Sequence, residues 1–231
     1  MLDHVTRKNL PSRNRAVKSE FRKRQLVNST IDCIEKLGLS QTTMASIAKH
    51  AGVSQGIVVF HFQTKEALLE QTLRRLSDDY GNCWKSAYNS AETMPLARLC
   101  SLIQAVFSPA ICSRKLVSVW YAFWGDSRSR LLYKELCGKQ DIAYSNYLLE
   151  QCQILETTES SALDAQAAAL IIESVVAGLW QEFLIGSQGL KRQKAISTVF
   201  NLLHLIYPDR RHEIEDIANK RLICDYPKRL S

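Results

Sequence analysis

One stretch, TMASIAKHAGVSQGIVVFHF at residues 43–62, constrains the fold of this chain more than any other. Thr42 and Thr43 offer hydroxyl groups that can cap the N-terminus of a helix, and Gly52 supplies a stop for it. After a turn of two residues, Ser54 offers the cap of a second short helix. Two short helices with so brief a connection predict a helix-turn-helix.

Apolar residues predict which faces of these helices are buried. Ile47, Ala48 and Ala51 form one stripe, and Val58 and Phe62 form another, whereas Gln55, Ile57 and His61 point outward. An earlier helix ends at Gly38 and carries a third stripe at three-and-four spacing: Phe21, Leu26, Val27, Thr30, Ile31, Ile34 and Leu37. The pattern therefore predicts a three-helix domain over residues 19–64.

The positive charge of the chain is concentrated in the same region. Residues 1–75 contain 13 lysines and arginines against 6 acidic residues, and the remainder contains 17 of each. A basic end on a neutral body is typical of a domain that neutralises phosphates, although a membrane surface is a competing polyanion. Residues 1–18, which are basic and lack apolar periodicity, are expected to form a flexible arm.

Gly56 lies inside the second short helix, where glycine costs about 1 kcal/mol relative to alanine. A close approach of the backbone to a phosphate would explain it. A structural three-helix bundle with a charged face, the alternative, explains the apolar stripes but neither the glycines nor the uneven charge.

The order TxxxIAKHAGVSQGxVxxHFxxKEALL, from Thr43 to Leu69, resembles the TetR family of bacterial transcriptional regulators. The resemblance implies that the second short helix reads a double-stranded DNA operator. It also implies a set of DNA-binding residues: Thr43, Ser54, Gln55, Gly56, Ile57, Val59, Phe60, His61 and Lys65. The alternative for Lys65 is a solvated surface lysine.

The chain departs from the family pattern at Val59, where a tyrosine is usual. Ile57, Val59 and Phe60 make the presented helix unusually apolar. Apolar side chains in a major groove contact thymine methyl groups, so an A·T-rich half-site is expected.

The rest of the chain predicts helices only, and the fold class is therefore all-α, with a larger helical domain over residues 65–208. Periodicity and breakers predict helices at 65–88, 96–107, 115–124, 131–154, 165–185 and 193–207, with a tail at 209–231 in which Ile214, Ile217 and Leu222 suggest a small amphipathic helix. The family resemblance implies that the last two long helices pair with those of a second copy in a homodimer.

Four residues of this domain form a candidate ligand site. Trp120 and Trp124 lie one helical turn apart, and Glu173 shares a helix face with Trp180. Aromatic rings with one carboxylate suit a quaternary ammonium ligand, whereas tryptophans at helical spacing also occur in cores. The segments WYAFW and GLWQEFLIGS resemble the choline-responsive BetI-type repressors, which implies a choline-like effector.

The sequence also bears on other classes of protein. It contains no HExxH, no GxSxG, no glycine-rich phosphate loop and no cluster of ligands at metal spacing, so no enzyme, metal or cofactor is expected. Its seven cysteines are scattered, as reduced, buried thiols would be. Glu173 and Glu182 interrupt the most apolar run, residues 165–185, which favours a buried helix over a membrane span. A cytoplasmic protein is therefore expected.

We therefore expect a dimeric repressor that a small effector releases from DNA. The alternatives are a TetR-like regulator of an unrelated apolar or cationic ligand, and an all-helical interaction protein.

Overall fold

The computed structural model describes residues 13–158, 161–187 and 189–219. Within these ranges the secondary structure consists of ten α-helices and one short 3-10 helix, with no strand. The predicted all-α class is confirmed. The chain divides into two compact units, residues 1–69 and 70–231, and the division falls inside the fourth helix.

The first unit contains three helices and the start of a fourth: α1 (Arg13–Gln41), α2 (Met44–Ala51), α3 (Gln55–Phe62) and α4 (Lys65–Ser90). The predicted flexible arm is wrong for residues 13–18, which belong to α1. Residues 15–18 are exposed, so the reason for their helicity is local: Ala16 and Lys18 are good helix formers that extend a helix already nucleated downstream. Residues 1–12 of the predicted arm lie outside the described residues.

Glycines end the helices of this unit where the sequence predicted. Gly38 has φ 75° and ψ 168° and interrupts α1, so that residues 39–41 form a separate turn. Gly52 has φ 66°, and its N–H bonds to the carbonyls of Ala48 and Lys49 at the end of α2. Both glycines occupy the left-handed region, which other residues reach only with strain.

The helix N-termini use different caps. Thr43 and Ser46 form a reciprocal capping box on α2, with Ser46 N donating to Thr43 Oγ1 at 3.1 Å and Thr43 N donating to Ser46 Oγ at 2.8 Å. The hydroxyl of Thr42 donates to the Gly38 carbonyl at 2.8 Å. Ser54 has the extended backbone of a cap, but its side chain makes no capping hydrogen bond. The expected hydroxyl cap is therefore confirmed at Thr43 and wrong at Ser54.

Most residues of the predicted stripes form the core of the first unit, and the buried side chains include Leu26, Ile31, Ile34, Ile47, Ala48, Val58 and Phe62. The prediction is wrong for Phe21 and Leu37, which are 67% and 47% exposed. Polar contacts fix the turn from outside the core: Gln25 Nε2 donates to the Ala51 carbonyl at 2.9 Å, and His50 Nε2 lies 3.1 Å from Asp32 Oδ2. These contacts hold α2 against α1 and thereby orient α3.

The second unit contains the remaining helices: α5 (Pro95–Val106), α6 (Arg114–Gly125), α7 (Ser127–Thr158), α8 (Ala165–Ile185), α9 (Arg192–Ile206), the 3-10 helix Pro208–Arg210 and α10 (Arg211–Asn219). Ser113 caps α6 by accepting from Leu116 N, and Asp164 caps α8 by accepting from Ala167 N. The predicted helices are confirmed, although α7 extends beyond 131–154 at both ends. Ile214 and Ile217 of α10 are buried, and Leu222 lies outside the described residues.

Helix α8 is buried on one face only. Ala165, Ala168, Ile172 and Phe183 are buried, whereas Leu170 and Ile185 are 65% and 68% exposed. Among the described residues, α8 alone is long and apolar enough to cross a membrane by length and composition, and 28% of its apolar window is buried. In the single chain, the predicted burial of this helix is thus confirmed for one face of α8 and wrong for the other. On α9, Leu205 is also 70% exposed.

Candidate DNA-reading helix and effector cavity

Helix α3 presents an apolar outer surface. Phe60 is 79% exposed and Val59 is 42% exposed, and the Phe60 ring meets His61 edge-on with centroids 5.1 Å apart. Ser54, Gln55 and Gly56 are exposed, and Ile57 and His61 are half-buried. The residues proposed to contact DNA on α3 are thus all at least partly accessible, as is Thr43 at the start of α2, and we call this set the recognition surface.

Basic side chains of α1 lie near this surface. The pKa of His61 is lowered, first by burial and then by the positive charges of Lys23 and Arg22. Those charges act on His61 only because they are near it, so α3 is flanked by cations. A neutral His61 can both donate and accept a hydrogen bond, which suits a side chain beside nucleic acid.

Lys65 has a structural partner that the sequence did not predict. Its Nζ donates to the carbonyl of Leu39 at 3.0 Å, just beyond the break at Gly38. A lysine ammonium carries three N–H donors, so this bond leaves donors for a phosphate. Lys65 therefore joins α4 to the end of α1 and brings a positive charge to the edge of the first unit.

Packing within the protein does not require a glycine at position 56. A methyl group built there would meet only Ser54 Oγ, at 3.8 Å, which is an ordinary contact. The helix nevertheless forgoes about 1 kcal/mol of propensity at this exposed position. No described side chain therefore accounts for this glycine, and the phosphate contact stays a prediction.

The second unit contains a cavity of about 260 Å³. Its walls come from five helices, α4 to α8, and the lining residues are Ser77, Tyr80, Val106, Trp120, Trp124, Tyr133, Cys137, Asp141, Tyr144, Ser145, Glu173, Val176, Ala177 and Trp180. All four candidate ligand residues of the sequence analysis are among them. Among the described residues, no lysine, arginine or histidine lines the cavity.

Three tryptophans and one tyrosine form its aromatic wall. The ring planes of Trp120 and Trp124 are inclined by 21° with centroids 6.3 Å apart, and Trp124 and Trp180 are inclined by 21° at 6.5 Å. Tyr133 meets Trp120 and Trp124 edge-on, at 5.8 and 5.7 Å. We call these four residues the aromatic cluster.

The aromatic cluster belongs to the core as well as to the cavity. Trp120 and Trp180 are 5% and 7% exposed, and Trp180 Nε1 donates to the Val106 carbonyl at 3.2 Å. The sequence left open whether these tryptophans belong to the core or to a ligand site, and in the structure they contribute to both.

Two carboxylates face the aromatic cluster. Glu173 accepts a hydrogen bond of 2.5 Å from the Ser145 hydroxyl, and Asp141 Oδ2 accepts one of 2.6 Å from the Tyr133 hydroxyl. Burial raises the pKa of Asp141, the Tyr133 hydrogen bond opposes this, and the charge of Glu173 adds to it. An apolar cavity with acidic groups and no cationic side chain favours a positively charged ligand.

Sequence reasoning missed the contribution of α7. Tyr133, Cys137, Asp141, Tyr144 and Ser145 all line the cavity. Tyr133, Cys137, Asp141 and Tyr144 are three or four residues apart, and Ser145 follows Asp141 by four, which puts them on one helix face. Charged residues in between, such as Lys134 and Lys139, obscure this face in the sequence.

The described residues contain no group of three or more side chains that could hold a metal ion. The cysteines described there are all buried, as expected, and burial raises the pKa of Cys137, which lines the cavity, to about 12. A thiol with so high a pKa is a weak nucleophile at neutral pH.

Two parts of the chain match known protein families. Residues 26–72 match the family described as bacterial regulatory proteins, tetR family, and residues 95–207 match BetI-type transcriptional repressor, C-terminal. The HTH-type transcriptional regulator BetI of Pectobacterium carotovorum is 29% identical over 79% of this chain and 92% of its own length.

Two solved structures share the fold. A proposed transcriptional regulator from Pseudomonas aeruginosa PAO1 has a TM-score of 0.70 at 22% identity, covering 89% of this chain and all of that one. A proposed regulator from Saccharomonospora viridis, solved in complex with choline, has a TM-score of 0.68 at 20% identity over 82% of this chain and 98% of that one. These relatives are regulators of transcription and not enzymes, in agreement with the prediction from sequence.

Proposed function

The chain belongs to the TetR family of transcriptional regulators and carries a BetI-type C-terminal domain, and from this premise we propose that it is a dimeric repressor released from its operator by a choline-like cation. The aromatic cluster beside Glu173 is the observation that carries the proposal. Ring faces attract an alkylated ammonium group, each contact contributing about 0.5 to 2 kcal/mol. Glu173 offsets the desolvation of the cation.

DNA binding is assigned to the first unit, with the nine residues named from the sequence. Gln55 and Phe60 are exposed and so could reach base edges, and Gly56 would allow the backbone to approach a phosphate. Lys65, Arg22 and Lys23 supply positive charge for phosphates. We assign the DNA-binding domain to residues 19–64 and the effector and dimerisation domain to residues 65–208. We assign the protein to the cytoplasm, where it would meet chromosomal DNA.

The half-exposed faces of α8 and α9 support the dimer. Leu170, Ile185 and Leu205 are each at least 65% exposed in the single chain. Apolar surface of this kind on adjacent helices is typical of an interface. A second copy of the same helices would cover it in a four-helix bundle. Sedimentation at micromolar concentration should therefore give twice the mass of the 26.2 kDa chain.

Release from DNA follows from linkage. A cation that binds one conformation of the dimer more tightly than another shifts the population toward the first, by no more than its differential affinity. If the favoured conformation spaces the two recognition helices badly for successive major grooves, affinity for the operator falls. The effector thereby releases the repressor from its operator.

The proposal is tested by titrating choline into the protein bound to its own promoter region. Dissociation of the complex, with choline binding seen separately by calorimetry, is the expected result. If choline neither binds the protein nor dissociates the complex, choline is rejected as the effector, while the proposed repressor function stands. A membrane surface, the competing polyanion, is tested by comparing binding to duplex DNA with binding to anionic vesicles. We expect sequence-dependent binding to DNA and no binding to the vesicles.

An unrelated apolar cation is the second candidate effector, because most of the cavity lining is apolar. A panel of drug-like quaternary amines distinguishes the two. A member of the panel that binds at least tenfold more tightly than choline would favour the second candidate.

A further inference from the structure

The cavity contains a second carboxylate, Asp141, to which the proposed function gives no role. A ligand with one positive charge needs one counter-charge, and Glu173 supplies it. A second carboxylate beside apolar rings is costly unless it is hydrogen-bonded or has a partner of its own. Asp141 therefore calls for a separate explanation.

The two carboxylates are held differently. Asp141 is tied to the aromatic cluster, since the tyrosine that donates to its Oδ2 at 2.6 Å also packs edge-on against Trp120 and Trp124. Glu173 is held by Ser145, outside that cluster. A carboxylate accepts several hydrogen bonds, so the bond from Tyr133 orients Asp141 without exhausting it.

The groups around Asp141 are neutral or acidic. Tyr80 comes from α4, Glu173 from α8, and Tyr133 and Cys137 from α7, and none of them is a cation. Helix α6 contributes only the indoles. Burial and the negative charge of Glu173 raise the pKa of Asp141, whereas the hydrogen bond from Tyr133 opposes the rise. That hydrogen bond holds the carboxylate beside the indoles, where it can accept a further hydrogen bond from a ligand in the aromatic cluster.

We propose that Asp141 is a specificity residue that hydrogen-bonds a donor group on the effector. The preferred effector then combines an alkylated ammonium group, held by the aromatic cluster and Glu173, with a hydroxyl or N–H group one short chain away. This inference rests on the proposed function and narrows its ligand class from any small quaternary ammonium compound to those with a donor.

Calorimetry on the full chain with three probes tests it. Choline has the cation and an O–H group, its O-methyl ether has the cation and the oxygen but no O–H, and tetramethylammonium has the cation alone. Choline should bind roughly tenfold more tightly than the ether, which is the effect of one hydrogen bond to a polar group of this kind. Equal affinity for choline and the ether would overturn the proposal.

Two substitutions at the same position separate hydrogen bonding from charge. Asp141→Ala should lower the affinity for choline to that for the ether while leaving tetramethylammonium within about twofold. Asp141→Asn keeps an acceptor oxygen and the bond from Tyr133, and should keep most of the preference for choline. If Asp141→Asn weakens all three probes alike, Asp141 acts as a counter-charge and the assignment is wrong.

Glu173→Gln is the matched control, because loss of the counter-charge should weaken all three probes together. Melting temperatures of the variants identify any that fails to fold, and the comparison of choline with its ether on the unmodified protein does not depend on them. Failure of all three cations to bind the unmodified protein would reject the proposed choline-like effector. Binding of all three without preference would reject only the role of Asp141.

Discussion

The side-chain amide of Gln140 lies directly over Gly81, so close that a methyl group at position 81 would be 2.6 Å from Gln140 Nε2. Lys85 Nζ holds the same amide by donating to Gln140 Oε1 at 2.9 Å. Helices α4 and α7 therefore meet at this amide group, in addition to the ring contacts of Tyr80 and Trp84 with Tyr144. Gln140 also precedes Asp141 in the chain, so this contact adjoins the wall of the cavity.

Gly81→Ala should change the free energy of unfolding by less than about 1 kcal/mol, because two effects oppose each other. Alanine is favoured over glycine in a helix by about 1 kcal/mol, and displacing the amide loses a hydrogen bond of similar net value. Urea unfolding measures the result. In a Gln140→Ala background the clash is absent, so the same substitution should stabilise by up to about 1 kcal/mol. A loss above about 2 kcal/mol in both backgrounds would show that backbone packing requires Gly81.

Gln55→Ala should change which operator sequences are preferred, with a smaller effect on binding to random DNA. Gln55 is exposed at the start of α3 and presents an amide that can pair with a base edge. Selection of binding sites from a randomised pool compares the variant with the unmodified protein. An unchanged site with uniformly weaker binding would contradict base reading by Gln55.

Lys65→Ala should weaken binding to all sequences and lower the salt slope by about 1. It also removes the hydrogen bond to the Leu39 carbonyl, so the free energy of unfolding should fall by about 1 kcal/mol. Binding across a salt series and urea unfolding measure the two effects. Lys36→Ala, at another exposed lysine, is the control: a slope change as large there would mean that Lys65 contributes only general charge.

Asp141→Asn should become more stable than the unmodified protein as the pH rises above about 4. The folded pKa of Asp141 lies above its ordinary value of 3.8, so the folded state binds more protons between those two values. Stability therefore falls as the pH rises through this window, and asparagine escapes the loss. Unfolding at several pH values measures the difference, and a difference independent of pH would show that Asp141 is not destabilised by burial.

Cysteines of the folded chain should resist thiol reagents at pH 7. Burial raises the pKa values of Cys112 and Cys152 to about 11 and that of Cys137 to about 12. About one thiol in ten thousand or fewer is then ionised. In a Cys224→Ser variant, no thiol should react within minutes until denaturant is added, and then six should react. Fast reaction of one thiol without denaturant would locate a local opening.

Much of this architecture could be predicted because local rules decide it. Thr43, Gly38 and Gly52 mark helix ends through capping and left-handed backbone, and both are properties of single residues. The start of α1 and the extra length of α7 could not, since helix propensity beyond the last buried residue leaves no periodic signal.

The candidate cavity was predictable only in part. Trp120, Trp124, Glu173 and Trp180 stand out by spacing on two helices, and the structure brings all four to one cavity. Tyr133 and Asp141 were not predicted as site residues, because their place in the cavity depends on how α7 packs against other helices. The approach of Tyr133 to both indoles exists only once α6 and α7 pack, and the hydrogen bond from Tyr133 to Asp141 joins two residues of α7 that are eight positions apart.

The exposure of Phe60 gives DNA binding a calorimetric signature. A phenyl ring that is 79% exposed keeps ordered water in the unbound protein, and docking into a major groove would release that water. Burial of apolar surface lowers the heat capacity, so association with the operator should have a more negative heat-capacity change than association with random DNA. Phe60 thus makes the temperature dependence of binding a measure of how closely α3 fits the bases.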